Sequence, residues 1–215
     1  MTQIVWIARH ANRLDFVKPD WFLTAERRYD PPLSDDGMIQ AQQLAERLKM
    51  ERIDYIFTSP FLRTVQTANA VAEKLDLSLK LETGLCEWLN SDWMSEEPER
   101  LTTKALAKLF PRIDASYTPI IAANYPETQA QTRKRSGITA RCLAAEHFPK
   151  HILLVGHGTS VKGAVMGLVG DIADDGEKVH LCSLFKAIRQ DPGWLLELRG
   201  DNSHLTHVEE VVRFN

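Results

Sequence analysis

The chain has 215 residues, of which 44% are hydrophobic and 26% are charged. Both fractions are average for a folded globular protein, and they exclude an intrinsically disordered, fibrous or disulfide-scaffold chain. The length fits one large domain, or one domain that carries an insertion, rather than two full domains. A formal net charge of −3 argues against a general nucleic-acid or anionic-membrane surface, but it leaves room for a local basic pocket.

The three cysteines, Cys86, Cys142 and Cys182, lack the C-x-x-C spacing of zinc sites and redox motifs. This sparse, odd number predicts free thiols in a reducing compartment. The apolar run at residues 4–8 is too short for the hydrophobic region of a signal peptide, and no run in the sequence reaches the roughly 18 apolar residues of a membrane-spanning helix. We therefore expect a cytoplasmic protein with no membrane partner.

The first part of the chain alternates between predicted strands and helices. Two short, continuous apolar runs are typical of strands buried on both faces of a parallel sheet, at residues 3–8 and 54–58, and residues 77–82 are predicted as a third short strand. Ser34 is predicted to cap a helix that extends to about Met50, because apolar residues recur there at three- and four-residue spacing. Ser59 and Pro60 are predicted to cap and start a second helix, which continues to Leu75.

The second part of the chain begins with an irregular segment at residues 88–127, which holds four prolines and several aromatic residues. Forty residues without strong periodicity are unusual in a compact domain, so we expect an insertion that serves as a lid or pocket wall, with a short helix near 102–109. Longer helices are predicted at 128–147 and 160–168. The remaining predicted strands lie at residues 151–155, 184–189 and 194–198, the last two joined by a turn.

Polar side chains follow three of the predicted strands at the point where each strand ends. Arg9 and His10 follow the first strand, Arg63 lies just beyond the second, and His157 follows the strand at 151–155. Ligands of open α/β sheets bind outside the carboxyl ends of the strands, so we expect these side chains to converge. Guanidinium groups near helix N-termini suit phosphate oxygens, and the sequence therefore predicts a phosphate site.

Four ordered motifs resemble those of the histidine phosphatase (phosphoglycerate mutase-like) superfamily. They are Arg9-His10-Ala11-Asn12-Arg13, residues 58–68, Gly84-Leu85-Cys86-Glu87-Trp88, and Val155-Gly156-His157-Gly158. Within the superfamily, Arg13-Leu14-Asp15 and the Glu87-Trp88 pair look most like the Sts and ecdysteroid-phosphate phosphatase branch. The resemblance implies a single α/β domain over residues 1–215, a three-layer sandwich with a mostly parallel central sheet flanked by helices.

The resemblance also implies a role for each residue of the predicted site. His10 would be the nucleophile that forms a phosphohistidine, which divides one difficult displacement into two easier steps. Arg9, Arg13 and Arg63 would hold the phosphate oxygens, together with His157, and Glu87 would be the general acid and base. We expect neither a metal nor another cofactor. The implied activity is that of a phosphoric monoester hydrolase.

Two positions depart from the family pattern. Ala11 stands where the family usually has glycine after the nucleophilic histidine, which is tolerable if the backbone angle φ is negative there. Asn12 stands where relatives often carry glutamate or glutamine, so the contacts of that side chain are left open.

Other functions compete with the phosphatase interpretation. A phosphoglycerate-type mutase has the same fold, and a catalytically inactive module that binds phosphorylated ligands needs the arginines alone. The basic cluster at residues 133–135 is interpreted as a solvated helix face, so no nucleic-acid partner is expected.

The substrate is expected to be a phosphorylated small molecule or a phosphotyrosine-type ester, and a homodimer is possible. Two interpretations of the aromatic residues have equal weight: they line an apolar substrate pocket, or they belong to the hydrophobic core. The residues are Trp21, Phe22, Trp88, Trp93 and Tyr117.

Overall fold

The computed structural model describes residues 2–170 and 178–206. A six-stranded sheet forms its centre, in the order β3-β2-β4-β1-β5-β6. The strands are β1 (Ile4–Arg9), β2 (Tyr55–Thr58), β3 (Leu79–Leu81), β4 (Ile152–Gly156), β5 (Leu184–Gln190) and β6 (Gly193–Asp201). Strands β1 to β4 pair in parallel, and β5 and β6 extend one edge in antiparallel fashion. The predicted mostly parallel α/β sheet is confirmed.

Six α-helices connect or flank these strands in the described residues: α1 (Trp21–Thr24), α2 (Asp35–Leu48), α3 (Leu62–Leu75), α4 (Thr103–Leu109), α5 (Gln129–Glu146) and α6 (Gly158–Val169). Side-chain caps explain several of their starts. Ser34 Oγ accepts a hydrogen bond from the Gly37 amide, as predicted, and Thr102 and Thr128 cap α4 and α5 in the same way. These hydroxyls satisfy amides that the first turn of a helix leaves without partners.

The start of α3 differs from the prediction that Ser59 caps it and Pro60 begins it. The helix begins at Leu62, whose amide donates to Asp30 Oδ1 at 2.7 Å. Ser59 Oγ instead lies 2.9 Å from Nε2 of His157. A distant carboxylate therefore satisfies a first-turn amide of α3, and the serine hydroxyl is used in the candidate site.

Alternate residues of β1 divide the core into two layers. Trp6 and Ala8 face α2, α3 and α4, in a cluster that includes Leu44 and Leu106. Val5 and Ile7 face α5 and α6 on the other side of the sheet, in a cluster that includes Leu143 and Val161. Because successive strand side chains point to opposite faces, a strand with apolar residues at every position is buried on both sides. The predicted three-layer sandwich is confirmed.

Glycines allow α5 and α6 to pack closely. A Cβ atom built on Gly167 would lie 2.4 Å from the Cα of Gly137, and one built on Gly163 would lie 2.6 Å from the Cα of Arg133. Distances this short are not compatible with a side chain, so the contact requires glycine. The close approach fixes how the N-terminal half of α5 lies against α6.

The segment at 88–127 contains α4 and otherwise lacks helices and strands, as predicted, but it also touches the sheet edge. The amide of Leu79 donates to Arg112 O, and the amide of Asp114 donates to Leu79 O, both at 2.8 Å. The segment therefore extends the edge beside β3. Within the described residues no helix is long and apolar enough to cross a membrane, and all three cysteines are free thiols.

Candidate active site

The carboxyl ends of β1, β2 and β4 meet at one edge of the sheet. Backbone hydrogen bonds join them there: the His10 amide donates to Gly156 O, and the Ser59 amide donates to Val155 O, both at 3.0 Å. This places His10, Glu87 and His157 together, with a nitrogen or oxygen atom of each within 4.8 Å of the others. The predicted convergence of the strand ends is therefore present.

A cavity of about 710 Å³ opens beside these three side chains. Its lining includes all three predicted phosphate-binding arginines, Arg9, Arg13 and Arg63, together with Glu87. His10 and His157 are fully buried beneath it. The structure thus brings all six predicted site residues to one place, with the cations and Glu87 at the cavity and the histidines below.

His10 has the arrangement that an imidazole nucleophile requires. Its Nδ1 lies 2.7 Å from Ala11 O, so Nδ1 carries the proton and Nε2 carries the lone pair. Nε2 is buried and has no hydrogen-bond partner among the described residues. Burial lowers the pKa of His10 well below its usual value, and Arg63 and Arg9 lower it further. The ring is therefore neutral at neutral pH, with one nitrogen available for attack.

Arg63 joins the acidic and basic groups of the site. Its Nη2 lies 3.3 Å from Oε2 of Glu87 and 3.2 Å from Nδ1 of His157, and its Nη1 donates to Tyr29 O at 3.4 Å. The side chain is 1% exposed, and burial lowers its pKa to about 10, so it stays charged at neutral pH. A guanidinium fixed in this way is suited to binding two oxygens of one phosphate.

The two ring nitrogens of His157 have different partners. Nε2 is 2.9 Å from Ser59 Oγ, whereas Nδ1 faces Arg63 and lies 3.3 Å from Oε2 of Glu87. Burial lowers the pKa of His157 to about 4, although Glu87 opposes the shift. A neutral ring that donates from Nε2 to Ser59 accepts from Arg63 at Nδ1. Ser59 thus orients His157, a role that its position in a motif did not reveal.

Glu87 is a carboxylate in this arrangement. Burial acts to raise the pKa of its side chain, but the positive charges of Arg63 and Arg13 oppose burial and hold the pKa well below the usual range. An ionised Glu87 is ready to act as a base. A phosphate dianion bound to the same cations would offset their field and raise the pKa of Glu87, which is the condition for it to act as an acid.

The remaining two arginines are held by other residues of the cavity wall. Arg13 makes a bidentate ion pair with the buried carboxylate of Asp15, with distances of 2.8 Å from Nε and 2.5 Å from Nη2. Nη1 of Arg9 donates to Val179 O at 2.6 Å. These contacts restrict both guanidinium groups before a ligand binds, which reduces the entropy lost on binding.

The basic cluster at residues 133–135 is not a solvated face as a whole, contrary to the prediction. Arg135 is 7% exposed and makes a bidentate ion pair with Glu127. It also donates to Gly84 O at 2.9 Å and to Glu87 O at 3.2 Å. Arg135 therefore holds the turn that carries Glu87, and only Lys134 in the cluster is exposed. Sequence periodicity missed this role because the carbonyl oxygens of Gly84 and Glu87 lie about fifty residues away in the chain.

Aromatic and other apolar side chains form part of the cavity wall. Of the five aromatic residues considered from the sequence, Phe22, Trp88 and Trp93 line the cavity. Trp21 is not among its lining residues, and Tyr117 packs on Phe57 and donates to Glu82 instead. Three further wall residues were not predicted: Phe16, Tyr29 and Met94. The wall offers a surface for an apolar or aromatic part of a ligand.

The two departures from the family motif are accommodated locally. Ala11 is fully buried and is not among the residues with positive φ, so its methyl group causes no backbone strain. The Asn12 side-chain amide donates to Asp36 Oδ2 at 2.7 Å, and its Oδ1 accepts from the Arg13 amide. Asn12 therefore links the motif to the start of α2 and does not line the cavity.

His10, Glu87 and His157 also form a possible set of metal ligands. The charged guanidinium of Arg63, however, contacts both Glu87 and His157 at 3.2–3.3 Å. A divalent cation between these ligands would lie next to that fixed positive charge. The donor set therefore fits a phosphate better than a metal.

Comparison with known proteins agrees with this geometry. The family model "Histidine phosphatase superfamily (branch 1)" matches residues 5–202. A probable phosphoglycerate mutase GpmB from Proteus mirabilis is 30% identical over 195 residues, which cover 86% of this chain and 89% of that protein. The ecdysteroid-phosphate phosphatase of Drosophila melanogaster is 26% identical over 236 residues, which cover 89% of this chain but 31% of that longer protein.

A solved structure supports the same relationship. The ecdysone phosphate phosphatase from Bombyx mori, in complex with tungstate, superposes with a TM-score of 0.77 at 23% identity, covering 92% of this chain and 93% of that one. This likeness shows the shared fold. The family match over residues 5–202 establishes that the chain belongs to the histidine phosphatase superfamily, branch 1.

Proposed function

We propose that this protein is a metal-independent phosphomonoester phosphatase that acts through a phosphohistidine at His10. One observation carries the proposal: Nε2 of His10 is a buried, unprotonated nitrogen without a hydrogen-bond partner among the described residues, and it lies beside an arginine-lined cavity. A group that serves only to bind phosphate would donate a hydrogen bond, whereas an unshared electron pair on a nitrogen without a hydrogen-bond partner suits attack on phosphorus.

In the first step the lone pair of His10 Nε2 forms a bond to phosphorus and the ester P–O bond breaks. Arg9, Arg13 and Arg63 stabilise the charge on the non-bridging oxygens, as arginines do in other phosphoryl transfers. The departing alkoxide or phenoxide takes a proton from Glu87, whose pKa rises once the phosphate offsets the surrounding cations. The products of this step are the free alcohol and a phosphohistidine.

In the second step water attacks the phosphohistidine and the N–P bond breaks. Glu87, now a carboxylate, takes a proton from the water, and inorganic phosphate leaves as His10 becomes neutral again. Nδ1 keeps its proton, which it donates to Ala11 O, so the ring leaves phosphorus as neutral imidazole. Burial and the neighbouring arginines, which hold the pKa of His10 low, favour this neutral ring. One carboxylate thus serves as the acid in one step and as the base in the next.

The cavity wall favours esters of bulky apolar or aromatic alcohols. Phe22, Trp88 and Trp93 lie beside the arginines, and a single aromatic ring fits easily into a cavity of about 710 Å³. We therefore expect aryl phosphates to be better substrates than sugar phosphates. A cytoplasmic location and a possible homodimer stay predictions from the sequence.

The proposal is tested by phosphate release from p-nitrophenyl phosphate. Replacing His10 with alanine should abolish turnover, while His180→Ala, which removes an exposed histidine outside the cavity lining, should leave it intact. Retained turnover in His10→Ala would refute the mechanism. Tight binding of phosphate or vanadate by the unaltered protein, without hydrolysis of any ester, would support a binding module instead.

A phosphoglycerate-type mutase is the second candidate, because the Proteus mirabilis relative is described as a probable phosphoglycerate mutase. A mutase keeps its phosphohistidine away from water and returns the phosphoryl group to a bound acceptor. Assay of 3-phosphoglycerate with a bisphosphoglycerate primer separates the two functions. Isomerisation much faster than phosphate release would favour the mutase.

A further inference from the structure

A buried carboxylate lies behind the phosphate-binding arginines. The side chain of Asp30 is 0% exposed, and it is not among the residues that line the cavity. Moving a carboxylate out of water is unfavourable unless partners compensate for the lost hydration, so a buried acid requires an explanation. Asp30 belongs to none of the four motifs, and neither step of the proposed reaction uses it.

Asp30 holds the beginning of α3 through one oxygen atom. Its Oδ1 accepts a hydrogen bond from the amide of Leu62 at 2.7 Å. Phe61, which precedes the helix, provides no side-chain cap, so a carboxylate from another part of the chain satisfies this amide. A negative charge is favourable at this end of a helix, because the helix dipole is positive there. Asp30 therefore fixes the turn from which the side chain of Arg63 extends.

The same oxygen atom faces the guanidinium of Arg63. Oδ1 of Asp30 lies 3.8 Å from Nη1 of Arg63, which is an ion-pair contact rather than a hydrogen bond. The other terminal nitrogen, Nη2, lies 3.3 Å from Oε2 of Glu87. Arg63 is thus shared between two carboxylates, one at each terminal nitrogen. Of the two, Glu87 lines the cavity, where a phosphate would compete with it for Arg63.

Backbone and ring contacts also hold the Nη1 side of Arg63. The carbonyl oxygen of Tyr29 accepts a hydrogen bond from Nη1 at 3.4 Å, and the ring of Phe61 packs against the guanidinium, 4.6 Å from Cζ. The hydrogen bonds of Nη2, in contrast, join it to side chains, those of Glu87 and His157. Side chains at a cavity wall can move more easily than buried backbone, so a ligand is expected to replace a partner of Nη2 first.

Several cations surround the carboxyl group of Asp30. Burial raises its pKa above the usual value, whereas Arg63 and the Leu62 amide oppose the shift, and Arg100 and Arg27 add to this opposition. Oδ2 has no hydrogen-bond partner among the described residues, so a proton on this atom would lack an acceptor. The carboxylate therefore suits this position better than the neutral acid.

We propose that Asp30 is a positioning residue that anchors one end of the Arg63 guanidinium, so that a phosphate can replace Glu87 at the other end. This inference rests on the proposed phosphatase function and adds a residue to it. When phosphate oxygens bind Nη2, Glu87 is released, takes up a proton from solvent and can act as the general acid. Without the charge of Asp30, Glu87 is the ion-pair partner left to Arg63 among the described residues, and it is released less readily.

The variant Asp30→Asn tests the proposal, because its amide oxygen can still accept from the Leu62 amide while the negative charge is lost. Two esters are compared by kcat/KM: phenyl phosphate, whose phenoxide needs a proton from Glu87, and p-nitrophenyl phosphate, whose nitrophenolate needs none at neutral pH. General acid catalysis contributes about 10²- to 10⁴-fold, so the ratio of kcat/KM for phenyl phosphate over p-nitrophenyl phosphate should fall at least about tenfold.

A matched substitution controls for the loss of a carboxyl group that binds a backbone amide. Oδ2 of Asp54 accepts from the amide of His151 at 2.8 Å, and Asp54 lies outside the cavity lining, so Asp54→Asn should leave the ratio unchanged. An unchanged ratio in Asp30→Asn would overturn the proposal, whether both esters lose rate equally, as a misplaced Arg63 would cause, or neither does. The same change of the ratio in both variants would overturn it as well.

A crystal structure of the unaltered protein with inorganic phosphate requires neither a variant nor turnover. Nη1 of Arg63 should keep its contact with Asp30, while Nη2 binds the phosphate and separates from Glu87. A guanidinium that keeps its contact with Glu87, or leaves Asp30, would overturn the inference. The expected geometry supports the role of Asp30 even if no ester is hydrolysed, in which case the phosphatase proposal alone fails. Hydrolysis of both esters with an unchanged ratio in Asp30→Asn rejects the inference alone.

Discussion

Replacing Glu87 with glutamine removes a negative charge and the ability of the carboxyl group to give or take a proton, while keeping the shape of the side chain. In the structure Oε2 of Glu87 lies 3.3 Å from Nη2 of Arg63 and 3.3 Å from Nδ1 of His157. An amide oxygen can keep the contact with Arg63. The backbone of residue 87 is held separately, because Arg135 donates to its carbonyl oxygen. The variant should therefore fold, and its defect should be chemical.

The expected size of the defect follows from the two roles of Glu87. General acid or base catalysis contributes about 10²- to 10⁴-fold, or about 3–5 kcal/mol of activation free energy. Both steps use Glu87 for an alkyl or phenyl ester, so Glu87→Gln should lower kcat for such esters by at least about a hundredfold. The nitrophenolate of p-nitrophenyl phosphate needs no proton to leave at neutral pH, so only its second step should be slowed.

The assay is stopped-flow release of nitrophenolate by the Glu87→Gln variant. We expect a rapid burst equal to the enzyme concentration, followed by slow turnover, because phosphohistidine accumulates when water lacks a base. Inorganic phosphate should inhibit the variant at least as strongly as the unaltered protein, since a competing carboxylate has been removed from Arg63 and His157. Similar steady-state rates for the variant and the unaltered protein would refute the roles assigned to Glu87. Equal loss of rate in the first and second steps for every ester would refute them as well.

Three further perturbations test other parts of the structure. Gly167→Ala should lower the free energy of unfolding, measured by urea titration, by about 1–3 kcal/mol, because the added methyl group would lie 2.4 Å from the Gly137 Cα. Helix propensity alone predicts the opposite, so an increased free energy of unfolding would contradict the close contact. Arg135→Met should lower the free energy of unfolding by about 3–5 kcal/mol, because it leaves the Glu127 carboxylate buried without its partner. An unchanged urea midpoint would argue against that ion pair. In NMR titrations His10 should stay neutral at pH values where a free histidine is already protonated, because its lowered pKa shifts protonation to more acidic pH; titration at the ordinary histidine value of about 6.5 would place it in a solvated environment.

Much of the fold was predictable because its signals are local. The continuous apolar runs of β1, β2 and β4 indicated strands buried on both faces, and Ser34 marked the start of α2. Ligands of open α/β sheets bind outside the carboxyl ends of the strands, and this principle predicted that four side chains separated by up to about 150 residues would meet: Arg9, His10, Arg63 and His157. Chain topology alone was sufficient for that step.

The residues that sequence reasoning missed depend on partners far away in the chain. Ser59 was interpreted as a helix cap because its neighbour is proline, but its hydroxyl contacts His157, 98 residues later. Arg135 lies in a basic triplet typical of a solvent-exposed face, yet its ion pair with Glu127 and its bonds to carbonyl oxygens bury it. Periodicity along one helix contains no information about such contacts.

The proposed mechanism depends above all on His10 Nε2 as the nucleophile. The most direct test is to mix the Glu87→Gln variant with labelled substrate, quench it in base within milliseconds, and locate the phosphoryl group by mass spectrometry and ³¹P NMR. We expect one phosphoryl group per chain, base-stable and acid-labile, bonded to Nε2 of His10. A phosphoryl group on another residue, or steady turnover with no covalent intermediate in either protein, would contradict the account.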